Sequence, residues 1–300
     1  DEPSQADLHV HVGTPDSFRP APLHPPERKF VFYTVAEATR VPAYWVRALN
    51  QCDEVWAPSQ FAAQALVHSG VSRPVQVIPL GVDCRSPAIL RPHHSDGEPF
   101  TVMWQGSRLM AYRDGQPSDG DRKGGFQLER AFRRANLPNS RLILKYLPIE
   151  GSSYDFRVGP VWYICKSMSV VEIDELDAVT DVFIWPTMGE GFGMTPLEKL
   201  AKGIPAFATY WSGPREYLKD FPLRRLTPSG LDHVRFNGAP ARMARIDEAA
   251  LIELMKYCHE HRQELPALRS TLFDSARDKW DYRHVLRPPL LAAIKRICDH

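Results

Sequence analysis

The stretch Met188–Gly203, MGEGFGMTPLEKLAKG, decides how this chain is read. It follows an apolar run, Asp181–Pro186 (DVFIWP), whose length and β-branched content read as a buried strand. Gly189, Gly191 and Gly193 let backbone N–H groups approach a ligand closely. A helix is expected to start near Thr195, with Pro196 at its favoured first position and its N-terminus suited to a phosphate. Two phosphate motifs are excluded. No G-K-[ST] follows, and the sixth position counted from Gly189 is Met194, where the dinucleotide fingerprint needs a small residue. Thr195 to Glu198 also fits a capping box, which would give Glu198 a purely local task. Nothing local requires Glu190, a carboxylate among glycines at a strand's carboxyl end.

Outward from this junction, strand-like runs alternate with helical ones. Lys29–Val35, Pro74–Leu80, Phe100–Gly106 and Arg141–Leu147 read as strands; Ser59–Gly70, Lys123–Ala135 and Val171–Val179 read as helices. That alternation predicts an α/β fold with parallel sheets. Ser86–Pro99 is rich in Pro, His and Ser and reads as an interdomain linker. Tyr112–Arg122 reads as a long surface loop, and the chain turns helical beyond Ile246. No internal repeat is visible. Two α/β units leave a cleft, with ligands expected outside the carboxyl ends of the strands.

Composition sets the boundaries. The 300 residues include 37 basic and 36 acidic, a net charge of +1, so no global field recruits nucleic acid or an acidic membrane. Five scattered cysteines without a C-x-x-C pair suggest neither disulfides nor zinc and fit a reducing, cytoplasmic setting. No apolar run approaches a membrane span and no signal peptide is visible. The chain begins with Asp1 rather than Met, which reads as a trimmed start.

Gly189–Leu218, GEGFGMTPLEKLAKGIPAFATYWSGPREYL, resembles the signature of the family 4 retaining glycosyltransferases. Glu190, Gly191, Phe192, Gly193, Leu197 and Glu198 match its E-G-F-G-x-x-x-L-E pattern position by position. Asp121–Ala135 is similar to the family's R-K-G helix start, and Asp53–Asp83 to the end of its N-terminal domain. His11–Pro20 and Tyr33–Val46 resemble earlier loops of that domain, which puts Gly13 on the donor side. The resemblance implies a GT-B fold: two Rossmann-like domains facing across a cleft, the first read as incomplete. The division expected is 1–90, an acceptor-side domain; 91–275, a nucleotide-sugar domain; and 276–300, a C-terminal helix packing back on the first.

The implied activity is retaining transfer of a hexose from a UDP- or GDP-sugar to a hydroxyl acceptor. The resemblance implies that Glu190 and the amides of Gly191, Phe192, Gly193, Met194 and Thr195 hold the donor. It gives Glu198 to the ribose hydroxyls and Lys123 to the leaving diphosphate, whose growing charge needs fixed positive charge and N–H donors. The family's second basic residue is assigned to Arg108, with Arg113 as runner-up, because an insertion separates Gly106 from Lys123. Glu37 stands where an N-domain histidine is usual. It reads as a polar contact or base, or equally as a helix-capping acid. No metal and no cofactor are expected. Asp-Gly-Asp at 119–121 lacks a third ligand and reads as a solvated loop. His11 is expected at the cleft edge and His9 exposed or packed, while Trp104, Trp162, Trp185 and Trp211 read as core. Arg224, Arg225 and Arg235 read as a rim that is solvated or touches an anionic acceptor. The acceptor class stays open: saccharide, lipid, protein, metabolite or modified nucleic-acid base. Competing readings are a phosphorylase or epimerase on the same scaffold, and a nucleotide-sugar-binding module without transfer activity.

Overall fold

The computed structural model describes residues 8–17, 29–84, 97–107, 110–113, 116–148 and 153–299, with backbone alone for 110–113 and 116–120. The first part runs β1 (Leu8–Val12), β2 (Lys29–Tyr33), α1 (Ala43–Leu49), β3 (Glu54–Ala57), α2 (Gln60–Ser69) and β4 (Val75–Val77). Its strands form one parallel sheet in the order β1-β2-β3-β4. Alternation along the strands splits the side chains between two faces. Phe30, Phe32 and Val55 pack under α1 and α2, whereas Val31, Trp56 and Ile78 face the other way.

The second part continues with β5 (Phe100–Gly106), β6 (Met110–Arg113), β7 (Gln116–Asp121), α3 (Gly125–Ala135), β8 (Ser140–Tyr146), β9 (Tyr154–Val158) and β10 (Val161–Cys165). Then come α4 (Val170–Ala178), β11 (Val182–Trp185), α5 (Met194–Leu200), β12 (Ala206–Ala208) and α6 (Arg215–Leu218). The second sheet has the order β12-β11-β5-β8-β10-β9 and is parallel except for β9. Its central strands β5 and β11 are buried along nearly their whole length, which is why they read as unbroken apolar runs.

A hairpin follows, β13 (Gly230–Phe236) and β14 (Ala239–Arg245), and then α7 (Glu248–Glu260), α8 (Leu265–Trp280), α9 (Tyr282–Val285) and α10 (Arg287–Cys298). The chain returns at α10, whose Ala293 and Ile297 pack with Val31, Trp56 and Ile78 on the free face of the first sheet. Arg296 reaches Glu54 there at 2.6 Å.

Local signals explain most element ends. Ser59 caps α2 by accepting from Ala62 N at 3.0 Å, and Gly70 ends it at φ 108°. Ser169 and Glu172 form a full capping box on α4. Three expectations are corrected. Tyr112–Arg122 is not a plain loop, because β6 and β7 pair antiparallel. Arg224–Phe236 is not simply a rim: its second half is β13, paired with β14. The third correction concerns α5, which begins at Met194 behind Gly193 with no side-chain cap, so Thr195 and Glu198 form no capping box. The proposed linker lies mostly outside the described residues. All five cysteines are free. No described helix is long and apolar enough to cross a membrane.

Candidate active site

The carboxyl ends of β2 and β3 meet those of β11 and β12, and the segment Thr187–Gly193 lies between them. Its glycines also serve packing between the two sheets. A Cβ at Gly189 would stand 2.1 Å from the carbonyl oxygen of Glu37, and one at Gly191 would stand 2.6 Å from Cβ of Val35. The glycines therefore let the segment press against the facing sheet. Ser59 Oγ crosses the same junction and donates to the carbonyl of Gly191 at 2.6 Å.

Four charged side chains converge beside this segment. Lys123 Nζ donates to Glu190 Oε1 at 2.5 Å and lies 3.8 Å from Glu37 Oε1. Arg122 Nη2 pairs with Glu37 Oε2 at 3.0 Å, and its Nη1 stands 3.6 Å from Glu190 Oε1. Thr187 Oγ1 adds a 2.8 Å bond to Glu190 Oε1, and the indole of Trp185 lies 5.0 Å beneath the Lys123 ammonium. All but Glu37 are almost dry: the exposures are 6% for the Glu190 side chain, 12% for Lys123 and 23% for Glu37. Burial pushes the Glu37 carboxyl up from its ordinary value; Arg122 opposes this and the Glu190 charge adds to it.

Lys123 is set in place by its neighbours. Its carbonyl accepts the Trp104 indole N–H at 2.9 Å, and α3 begins two residues later at Gly125, behind the N-cap Gly124. Asp121 is buried, not solvated. Its carboxylate accepts from Gly125 N at 3.1 Å and Phe126 N at 3.0 Å, and so caps α3. Burial raises its pKa and these amides oppose the rise. Among the described residues no three His, Cys, Asp or Glu side chains converge as metal ligands.

Of the residues named from sequence, Glu190, Lys123 and Glu37 are brought together. Phe192 is buried against Tyr217 and Trp280, a packing position. Glu198 is exposed on α5. Gly13 lies at the end of β1, its N–H bonded to the Tyr33 carbonyl at 3.1 Å, with His11 beside it. His9 stacks on Phe30 at 5.3 Å. Trp104 and Trp185 are core, whereas Trp162 and Trp211 are only partly buried. Arg108 lies outside the described residues, as does the side chain of Arg113. The residue missed was Arg122. Its position directly before Lys123 within D-R-K-G-G was the available signal.

Two mainly parallel α/β sheets, facing each other at their carboxyl ends across a charged junction, define a GT-B protein. Solved structures agree over about nine-tenths of the chain. Anabaena HepE, in complex with UDP and glucose, matches with TM-score 0.63 and 17% identity, over 89% of this chain and 72% of that one. Sucrose-phosphate synthase from Thermosynechococcus elongatus matches with TM-score 0.61 and 13% identity, over 91% and 69%. Trehalose 6-phosphate synthase from Burkholderia multivorans matches with TM-score 0.60 and 14% identity, over 91% and 67%. At such identities the likeness is one of fold. Residues 162–237 match the family model described as "Glycosyl transferases group 1". That segment, which holds both glutamates of the E-x7-E motif, is where the chain is similar to the group 1 glycosyltransferases. Sucrose synthases of Denitrovibrio acetiphilus and Melioribacter roseus are each 44% identical to this chain over 39 residues, 13% of this chain and 5% of theirs.

Proposed function

We propose that this protein transfers a hexose from a UDP-sugar to a hydroxyl acceptor with retention of anomeric configuration. The observation that carries the reading is the Lys123–Glu190 pair at the junction of the sheets, flanked by Arg122 and Glu37. HepE, which shares the fold, is known in complex with UDP-glucose. Residues 91–275 hold the donor in this reading and residues 1–90 face the acceptor.

Lys123 offsets the charge that grows on the departing diphosphate, where a fixed cation costs no reorganisation. The Glu190 carboxylate accepts hydrogen bonds from sugar hydroxyls and so aims the anomeric carbon. N–H groups of Gly191 to Thr195 supply further donors, and exposed Glu198 is open to the ribose. Bond by bond, the anomeric C–O link to phosphate breaks and its electron pair leaves with UDP. The acceptor oxygen bonds to the anomeric carbon on the same face. Its proton passes to a phosphate oxygen of the leaving group, and no residue is required as covalent nucleophile.

Calorimetric titration with UDP and UDP-glucose, followed by product analysis over an acceptor panel, tests the reading. An α-linked product is expected, and Glu190→Ala and Lys123→Ala should each lose transfer. A β-linked product overturns retention, and full activity in both variants overturns the site. Binding without turnover would make this a nucleotide-sugar-binding module; phosphorolysis or donor epimerisation would mark the rival enzymes.

A further inference from the structure

Arg122 sits beside Lys123 in sequence but does a different job in space. Its guanidinium donates through Nη1 to the carbonyl of Gly189 at 2.7 Å and pairs through Nη2 with Glu37 Oε2 at 3.0 Å. Its own carbonyl accepts from Met188 N at 2.8 Å. One residue therefore grips Met188 and Gly189, the two residues leading into Glu190, and holds a carboxylate carried by the opposite sheet. Its side chain is only 10% exposed, so the fork is committed to these partners.

The neighbourhood reinforces the link. The Met188 carbonyl accepts from Ala244 N of β14 at 2.8 Å, while Arg242 N of that strand donates to Thr39 Oγ1 at 2.8 Å. Glu37 and Thr39 belong to the same segment after β2, so both ties join that segment to the Glu190 loop. A planar guanidinium can serve two acceptors in fixed directions at once; a lysine ammonium, a point charge on a flexible stem, cannot reproduce that fork.

We propose that Arg122 is a positioning residue that couples closure of the two sheets to the aim of Glu190. The Glu37–Arg122 pair forms as the sheets close, and the same guanidinium then fixes the Gly189 carbonyl and the carboxylate that follows it. The catalytic part of this proposal rests on the glycosyl-transfer reading; the closure part does not.

The test compares Arg122→Lys, Glu37→Gln, their double variant and Lys123→Ala, with UDP and UDP-glucose as probes. UDP affinity is measured by calorimetry, and turnover as UDP release with water as acceptor. Arg122→Lys and Glu37→Gln are expected to keep the UDP affinity but lower kcat about 100-fold, the scale of a misplaced reacting group. The double variant should be no worse than Arg122→Lys alone, since the two act as a unit. Lys123→Ala should instead lose UDP affinity. Small-angle scattering of the same proteins should show a larger radius of gyration for Arg122→Lys and Glu37→Gln. Loss of UDP affinity in Arg122→Lys at unchanged kcat would make Arg122 a phosphate ligand and overturn the proposal. An unchanged radius in both variants would overturn the coupling. A wild-type chain that turns over no donor refutes the transfer reading, while the scattering result still decides closure. Arg122→Lys keeps the charge, and Glu37→Gln leaves the guanidinium its bond to Gly189, so a fold failure in one leaves the other informative.

Discussion

Glu190 and Lys123 lie 2.5 Å apart in nearly water-free surroundings, and each makes the burial of the other tolerable. Removing one partner of such a pair strands the other charge. In Lys123→Met, Glu190 keeps the Thr187 hydroxyl and Arg122 at 3.6 Å, so the loss is partial. About 2 kcal/mol of stability should disappear in urea unfolding, the range for a hydrogen bond to a charged group. Adding Glu190→Gln should restore about half, because no unpaired charge is then buried. A double variant that loses the sum of both single effects would show that the two side chains are not coupled. Glu190 and Lys123 were legible in the sequence because each sits in a short motif whose chemistry demands its type. Arg122 was not. Beside a lysine in a polar stretch it reads as solvated, and only the turn after β7 decides that its side chain points inward.

Helix α2 shows an element serving two sheets. Ser59 caps its first turn and donates to the Gly191 carbonyl across the junction of the two sheets. Ser59→Ala should therefore cost about 1–2 kcal/mol, the upper range for loss of a cap. Ser59→Thr, which keeps the hydroxyl, should recover most of it in thermal unfolding. An alanine variant as stable as wild type would mean that neither bond contributes. The ends of α2 could be read directly, since a Ser cap and a terminal Gly are local features. The hairpin of β13 and β14 could also have been found. Asn237-Gly238, with both residues at positive φ (46° and 84°), is the strongest short hairpin-turn signal. The arginines around it read instead as a charged rim. The start of α5 was misplaced for another reason: Gly193 at φ 84° takes the N-cap position, and the likeness of Thr195–Glu198 to a capping box carried no information about that backbone.

At the scale of the molecule, the chain closes on itself where Asp281 meets the end of the first part. Its carboxylate accepts from Arg283 Nε at 2.7 Å, Arg283 N at 2.9 Å and Cys84 N at 3.3 Å, and Val82 bridges to its backbone. The Arg283 side chain and these amides hold the Asp281 carboxyl well below the usual carboxylate range, against the effect of burial. A depressed carboxylate stabilises the fold fully above its unfolded value, about pH 4, and loses that contribution as pH falls toward its folded value. Asp281→Asn should therefore be less stable than wild type in urea at pH 7, and the gap should shrink at pH 3 and below. A gap that stays constant with pH would remove the charge from the explanation. The alternation of strands and helices, the paired glutamates and the lysine before α3 were determined by the sequence itself, because periodicity, caps and short motifs act over a few residues. The meeting of Glu37, Arg122 and Glu190, the reach of Ser59 to the Gly191 carbonyl, and the use of glycines to bring two sheets together were decided by the tertiary structure. These residues come from separate turns after four strands, and whether their side chains meet depends on how two sheets are set against each other, which no local pattern encodes.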